Sequence, residues 1–147
     1  MPRLLISPED LATVERWAIA AFPAECCGLL LGSFEGDETV RLVRVEPCLN
    51  QAPDQRSRFT ISPDSLLAAY RSVRHRGEQV VGTYHSHPLG AAVPSDVDRE
   101  SAWPGASYLI LGVGEDGVRE RRSWRLDDGH FVEEKLIVRR LVGGEAR

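Results

Sequence analysis

The chain has 147 residues, 42% of them hydrophobic and 27% charged, with a formal net charge of −4. Length and balance predict one globular domain with a real core, and the acidic balance argues against nucleic acid as the main partner. No apolar run approaches the roughly 20 residues of a membrane span, and Met1 to Ser7 is too short and too soon polar for a signal peptide, so the expectation is a cytoplasmic protein with no membrane partner. The cysteines, Cys26, Cys27 and Cys48, are odd in number and two are adjacent. That pattern is no disulfide framework, and without a Cys-x-x-Cys pair it is no thiolate zinc site either. Free thiols are expected.

In chain order, Arg3 to Ile6 reads as a short strand. Ser7 then caps a helix that opens on Pro8, carries Glu9 and Asp10 in its first turn, and repeats Leu11, Val14, Ala18 and Ala21 at helical spacing. Glu25 to Gly32 is an apolar run short enough for a buried strand, turned at Glu35-Gly36-Asp37 into a half-exposed partner, Thr39 to Val45. Pro47 to Arg58 is polar and irregular, a long surface loop of the kind that often carries function. Arg58 to Ile61 reads as a brief strand. Ser62-Pro63-Asp64 repeats the helix-start pattern for a second helix to about Arg76, closed by Gly77. Ser107 to Val113 and Val118 to Leu126 are strands around a Glu115-Asp116-Gly117 turn. Phe131 to Leu141 reads as a last strand, with a short helix over Glu133 to Arg140 as the alternative. Strands outnumber helices, which predicts an α/β domain: a single mixed, mostly antiparallel sheet with helices packed against it. Residues 1–142 are expected to form the domain and 143–147 a frayed tail. His75 and His130 read as surface residues, and Trp103 and Trp124 as core.

The chemistry concentrates in His85 to Asp98. Gln79 to Tyr84 is a β-branched, apolar strand. Because positions i and i+2 of a strand share a face, His85 and His87 present two imidazoles side by side, with Ser86 turned away. Pro88 ends regular pairing. Ser95 is placed to cap a short helix from Asp96 to about Ser101, and Ser95 and Asp98 share its first turn. Two imidazole nitrogens and one carboxylate with a fourth position open describe a catalytic zinc site, not a closed structural one.

The pattern His-x-His-Pro, six residues, Ser-x-x-Asp, with Glu25 sixty residues upstream, resembles the JAMM (MPN-plus) metalloprotease motif. Glu25 followed by Cys27-Gly28-Leu29-Leu30-Leu31-Gly32, and Gly82-Thr83-Tyr84 leading into His85, are similar to the motif's surroundings. The resemblance runs over roughly Arg3 to Val138 and looks closest to the short bacterial and archaeal members. It implies a cytidine-deaminase-like sheet architecture, Zn²⁺ held by His85, His87 and Asp98, Glu25 as general acid/base and Ser95 as oxyanion stabiliser. It further implies hydrolysis of an amide or isopeptide bond at the Gly-Gly tail of a ubiquitin-like or sulfur-carrier protein. A strand edge beside the site could bind such an extended tail by strand addition, with the Pro47 to Arg58 loop as part of the groove, a hypothesis that stands beside the resemblance. A homodimer stays open. Two rivals stand beside this reading: a non-catalytic scaffold of the same fold, and a non-haem Fe(II) enzyme, whose facial triad also takes two histidines and a carboxylate. A zinc deaminase is excluded by the missing Cys-x-x-Cys ligands.

Overall fold

The structure, a computed structural model, describes residues 1–140. Seven strands and three helices follow in the order β1 (Arg3–Ile6), α1 (Pro8–Ala21), β2 (Cys27–Glu35), β3 (Thr39–Cys48), α2 (Pro63–Arg74), β4 (Gln79–Pro88), α3 (Asp96–Glu100), β5 (Ser107–Gly114), β6 (Gly117–Asp127) and β7 (His130–Val138). Both long helices begin as their sequences predict. The Ser7 and Ser62 hydroxyls accept the amides of Asp10 and Ser65, and a proline occupies the first turn of each. Gly77, with φ +67°, follows α2 and supplies the left-handed residue that stops it.

The sheet is mixed and α/β in class, as expected, but it closes. The strands pair in the cycle β1-β3-β2-β4-β5-β6-β7, with β1 parallel to both β3 and β7. Closure is a long-range pairing of the first strand with the last, and nothing in local periodicity signals it. Four of the seven pairings are antiparallel and three are parallel, the third parallel pair being β4 with β5. The last segment is strand, not helix, and ends at Val138. Leu141 and the expected tail over 143–147 lie outside the described residues.

The brief strand expected at Arg58 to Ile61 is absent. The Asn50 side chain takes over its backbone groups: Nδ2 donates to the Arg58 carbonyl and Oδ1 accepts the Thr60 amide. A side chain that satisfies both groups removes the need for a strand partner.

Alternation along β2 and β4 builds two apolar layers. Leu30, Val81, Tyr84, Leu109 and Leu111 join Val14 and Ala18 of α1. Cys27, Leu29, Leu31 and Cys48 join Ala69 and Val73 of α2 on the other face. All three cysteines are free and buried, as expected. A polar cluster ties the closing strands together. Glu134 on β7, 1% exposed, accepts the Ser123 hydroxyl at 2.7 Å and pairs with Arg125 of β6. Arg125 in turn donates to the carbonyls of Arg3 and Glu38, so one guanidinium bridges β6, β7 and the start of β1.

Gly28 makes a tight contact near the site. A Cβ there would lie 2.2 Å from the Tyr84 ring across the β2–β4 pair. Tyr84 is fully buried, so the ring has nowhere to go. Gly28→Ala should cost about 1–3 kcal/mol by overpacking, read as a lower urea midpoint with an unchanged slope. An unchanged midpoint would show that the β2–β4 contact yields.

Candidate metal centre

β4 runs between β2 and β5, with Cys27 opposite His85 on one side and Ile110 on the other. Fixed on both flanks, it presents His85 and His87 to the α2 side of the sheet. The chain then crosses a loop and enters α3, where Ser95 forms a capping box: its hydroxyl accepts the Asp98 amide at 3.1 Å and its own amide donates to Asp98 Oδ2 at 2.9 Å. The cap does more than start a helix. It locks the Asp98 carboxylate toward the imidazoles.

The result is a compact set. His85 Nε2, His87 Nε2 and Asp98 Oδ2 are each 3.1 Å from the other two. Four tetrahedral donors at the usual 2.0–2.2 Å from a zinc ion stand about 3.3 Å apart. Three lone-pair atoms at that spacing fit a small divalent cation in separation and in chemistry, and together they could hold one. His85 is 1% exposed and burial, the main effect, pulls its pKa below the ordinary value. An imidazole kept neutral is a ligand-ready imidazole. Burial also pulls on His87, but hydrogen bonds to Asp98 and the Ala91 carbonyl outweigh it and the net shift is upward. Burial pushes Asp98 up, yet the two histidines overcome it and hold the carboxyl far below the carboxylate range.

The two histidines are braced differently. His87 Nδ1 donates to the Ala91 carbonyl at 2.9 Å, fixing its tautomer. That carbonyl belongs to a loop which β6 holds from behind: Glu120 Oε1 accepts the Ala92 amide at 2.5 Å, and Trp124 Nε1 donates to the Ala92 carbonyl at 2.9 Å. Trp124 is therefore a loop brace, not the core residue its sequence suggests. Trp103, 38% exposed, is not core either and lines the mouth of a cavity beside His85 and Asp98. His85 instead stacks on Phe59, with ring centroids 4.7 Å apart. His75 and His130 are exposed, as expected.

Glu25 stands just before β2. Its amide donates to the Gln55 carbonyl at 2.6 Å, and its carbonyl accepts Asn50 Nδ2 at 3.0 Å. Asn50 also receives the Ala52 and Thr60 amides and reaches Arg58, so all its hydrogen-bonding capacity serves this loop. Ser86, read from sequence only as facing away, accepts the next amide, Cys26, at 2.8 Å. β3 continues through Pro47 and Cys48, which pair with Gly28 and Cys27, so the loop expected from Pro47 begins at Leu49; it clamps the Glu25 backbone. The Glu25 side chain is 5% exposed, and its Oε1 is buried with no hydrogen-bond partner. Desolvation lifts its pKa to about 8, opposed by His87 and reinforced by Asp98. Asn50 and Phe59 escaped the sequence reading because an asparagine or phenylalanine in a polar loop carries no signal of its partner.

Residues 9–127 match the profile of prokaryotic homologs of the JAB domain. The chain belongs to that family. It is thus a JAMM-type, metal-dependent hydrolase. The chain is 37% identical over 108 residues to a desampylase of Haloferax volcanii, covering 72% of this chain and 73% of that one. It is 31% identical over 117 residues to the CysO-cysteine peptidase of Mycobacterium tuberculosis, covering 79% and 77%. A probable TtuB-protein conjugate cleaving protease of Thermus thermophilus is 36% identical over 98 residues, 66% of this chain and 60% of that protein. Among solved structures, a protein from Desulfitobacterium hafniense superposes with a TM-score of 0.84 at 27% identity over 98% of both chains.

The raised Glu25 pKa has a stability consequence. A carboxyl at about 4.5 unfolded and about 8 folded favours the folded state while protonated, so folding loses free energy as pH rises from about 4.5 to about 8. In metal-free protein, Glu25→Gln should match wild type at pH 4 and exceed it by more than about 1 kcal/mol at pH 8.5 in urea melts. A pH-independent difference would contradict the burial of an unpartnered carboxylate.

Proposed function

We propose that the chain is a zinc-dependent peptidase that cuts an amide or isopeptide bond at the Gly-Gly tail of a ubiquitin-like or sulfur-carrier protein. The observation that carries this reading is the unpartnered, burial-tuned Glu25 carboxyl electrostatically coupled to His87 and Asp98. A scaffold has no use for such a group, and a facial-triad iron centre has none either. His85, His87 and Asp98 would hold the zinc. When bound, the ion supplies Lewis acidity, polarising a carbonyl and bringing the pKa of water toward about 7.

The chain's own groups do the rest. Glu25 takes the proton of the attacking water and returns it to the departing amine, a double duty that suits a carboxyl whose pKa sits near neutrality. The Ser95 hydroxyl oxygen is used as an acceptor by the Asp98 amide, which leaves its hydrogen to donate to the oxygen that gains negative charge. Capping and oxyanion stabilisation are compatible because they use different atoms of one hydroxyl.

The names of the relatives, which denote a desampylase, a conjugate-cleaving protease and a CysO-cysteine peptidase, support this substrate class. β4 pairs with β2 only as far as His85, while β5 continues beside it to Pro88, so among the described residues the β2-facing side of His87 and Pro88 carries no strand partner and can take an added strand. From that edge the tail follows the groove that runs from Glu25 past Asn50, where the small side chains of Ala20, Ala21 and Ala24 suit glycine. The finer fold assignment travels with this proposal: a JAMM/MPN-type, cytidine-deaminase-like core.

Ubiquitin-like carriers carrying residues beyond Gly-Gly, incubated with zinc-loaded protein and read by intact mass, should yield a product ending at Gly-Gly. A chelator should abolish it. Ser95→Ala should slow turnover by about 10²–10³-fold, and Glu25→Gln by more. Intact fusions after prolonged incubation, or a Glu25→Gln protein as fast as wild type, would overturn the reading.

A further inference from the structure

Both histidines turn Nε2 toward Asp98 Oδ2, at 3.1 Å. A neutral imidazole that gives its Nε2 lone pair to a cation must carry its proton on Nδ1. His87 places that proton on the Ala91 carbonyl. His85 does not: its Nδ1 is buried without a partner. Stacking on Phe59 holds the plane of the ring but offers no acceptor in that plane.

A second buried orphan lies on the same strand face. Thr83 precedes His85 by two residues on β4, is 6% exposed, and its Oγ1 has no partner. Thr83 and His85 line the same cavity, of about 260 Å³. The other polar groups there are spoken for or wet. Tyr108 Oη accepts the Trp103 amide, Asp98 faces Nε2, and Thr60 and Ser101 are exposed. Residues two apart on a strand are separated by about 6.6 Å, a gap that a threonine hydroxyl and an imidazole Nδ1 leaning together span, alone or with one water. Rotation about one χ1 decides whether threonine shows its hydroxyl or its methyl to the ring.

We propose that Thr83 is the positioning residue of His85: its Oγ1 accepts the Nδ1–H and fixes the tautomer in which Nε2 is free to ligate. The chain then braces its two imidazoles by different means, one through a loop carbonyl and one through a side chain of the same strand. This inference rests on His85, His87 and Asp98 holding a metal.

The test is zinc affinity, measured by chelator competition on wild type, Thr83→Val and Thr83→Ser. Valine keeps the shape and removes the acceptor. Thr83→Val should weaken binding about 10–100-fold, the usual loss for such a partner, while metal-free melting stays at or above wild type. Thr83→Ser should return to within a few-fold of wild type. Equal affinity in Thr83→Val, or a loss that serine does not restore, overturns the assignment. Wild type that binds no zinc overturns the metal reading itself, which separates the two failures. Should the valine variant not fold, zinc-loaded wild type answers alone: the His85 Nδ1 proton should be observed by NMR, slow to exchange and with an Overhauser contact to the Thr83 methyl. A proton on Nε2, or an Nδ1 proton in fast exchange, contradicts the proposal.

Discussion

Three atoms that all carry lone pairs, two imidazole nitrogens and a carboxylate oxygen, stand 3.1 Å from one another. Such atoms repel unless a proton or a cation lies among them, so the polypeptide must hold them there. The holding begins with β4, which cannot twist away because β2 and β5 hydrogen-bond both its flanks. Pleating does the next part by turning alternate residues to one face. The capping box does the last, since the hydrogen bonds that start α3 also orient Asp98. The cost of bringing three acceptors together is distributed over ordinary strand and helix bonds, each modest on its own.

The same economy appears around Glu25. An acid at a strand start would normally reach solvent. Here the Asn50-centred loop, the Ser86 hydroxyl and the Gln55 carbonyl fix its backbone, and the residue is left 5% exposed. Its raised pKa is a property of that enclosure, not of glutamate. The segment from Asn50 to Phe59 thereby links the acid to the candidate metal centre: Asn50 holds Glu25, and Phe59 stacks on His85. Motion of this loop would disturb both partners at once.

Much of this was legible in the chain. Ser7-Pro8 and Ser62-Pro63 announce their helices because caps and prolines act within one turn. His85 and His87 could be placed on one face because strand period is local, and Asp98 because a short helix after Ser95 fixes it three residues on. Glu25 had no local signal, and only the family resemblance singled it out. Barrel closure, the loss of a strand at Arg58 to Ile61, and the roles of Asn50, Phe59, Trp103 and Trp124 were not legible. Each depends on a specific side-chain or strand partner that local periodicity does not name, and the Trp124–Ala92 bond, for example, joins residues 32 apart. Composition ranks tryptophan as core; only the neighbouring carbonyl makes it a brace.

The central claim is that two imidazoles and one carboxylate, and no thiolate, bind the metal. X-ray absorption on protein loaded with one equivalent of zinc addresses it directly. The account predicts a shell of nitrogen and oxygen at about 2.0–2.1 Å with the outer-ring scattering of two imidazoles. Sulfur at about 2.3 Å would contradict it, because the nearby cysteines Cys26, Cys27 and Cys48 would then be the ligands.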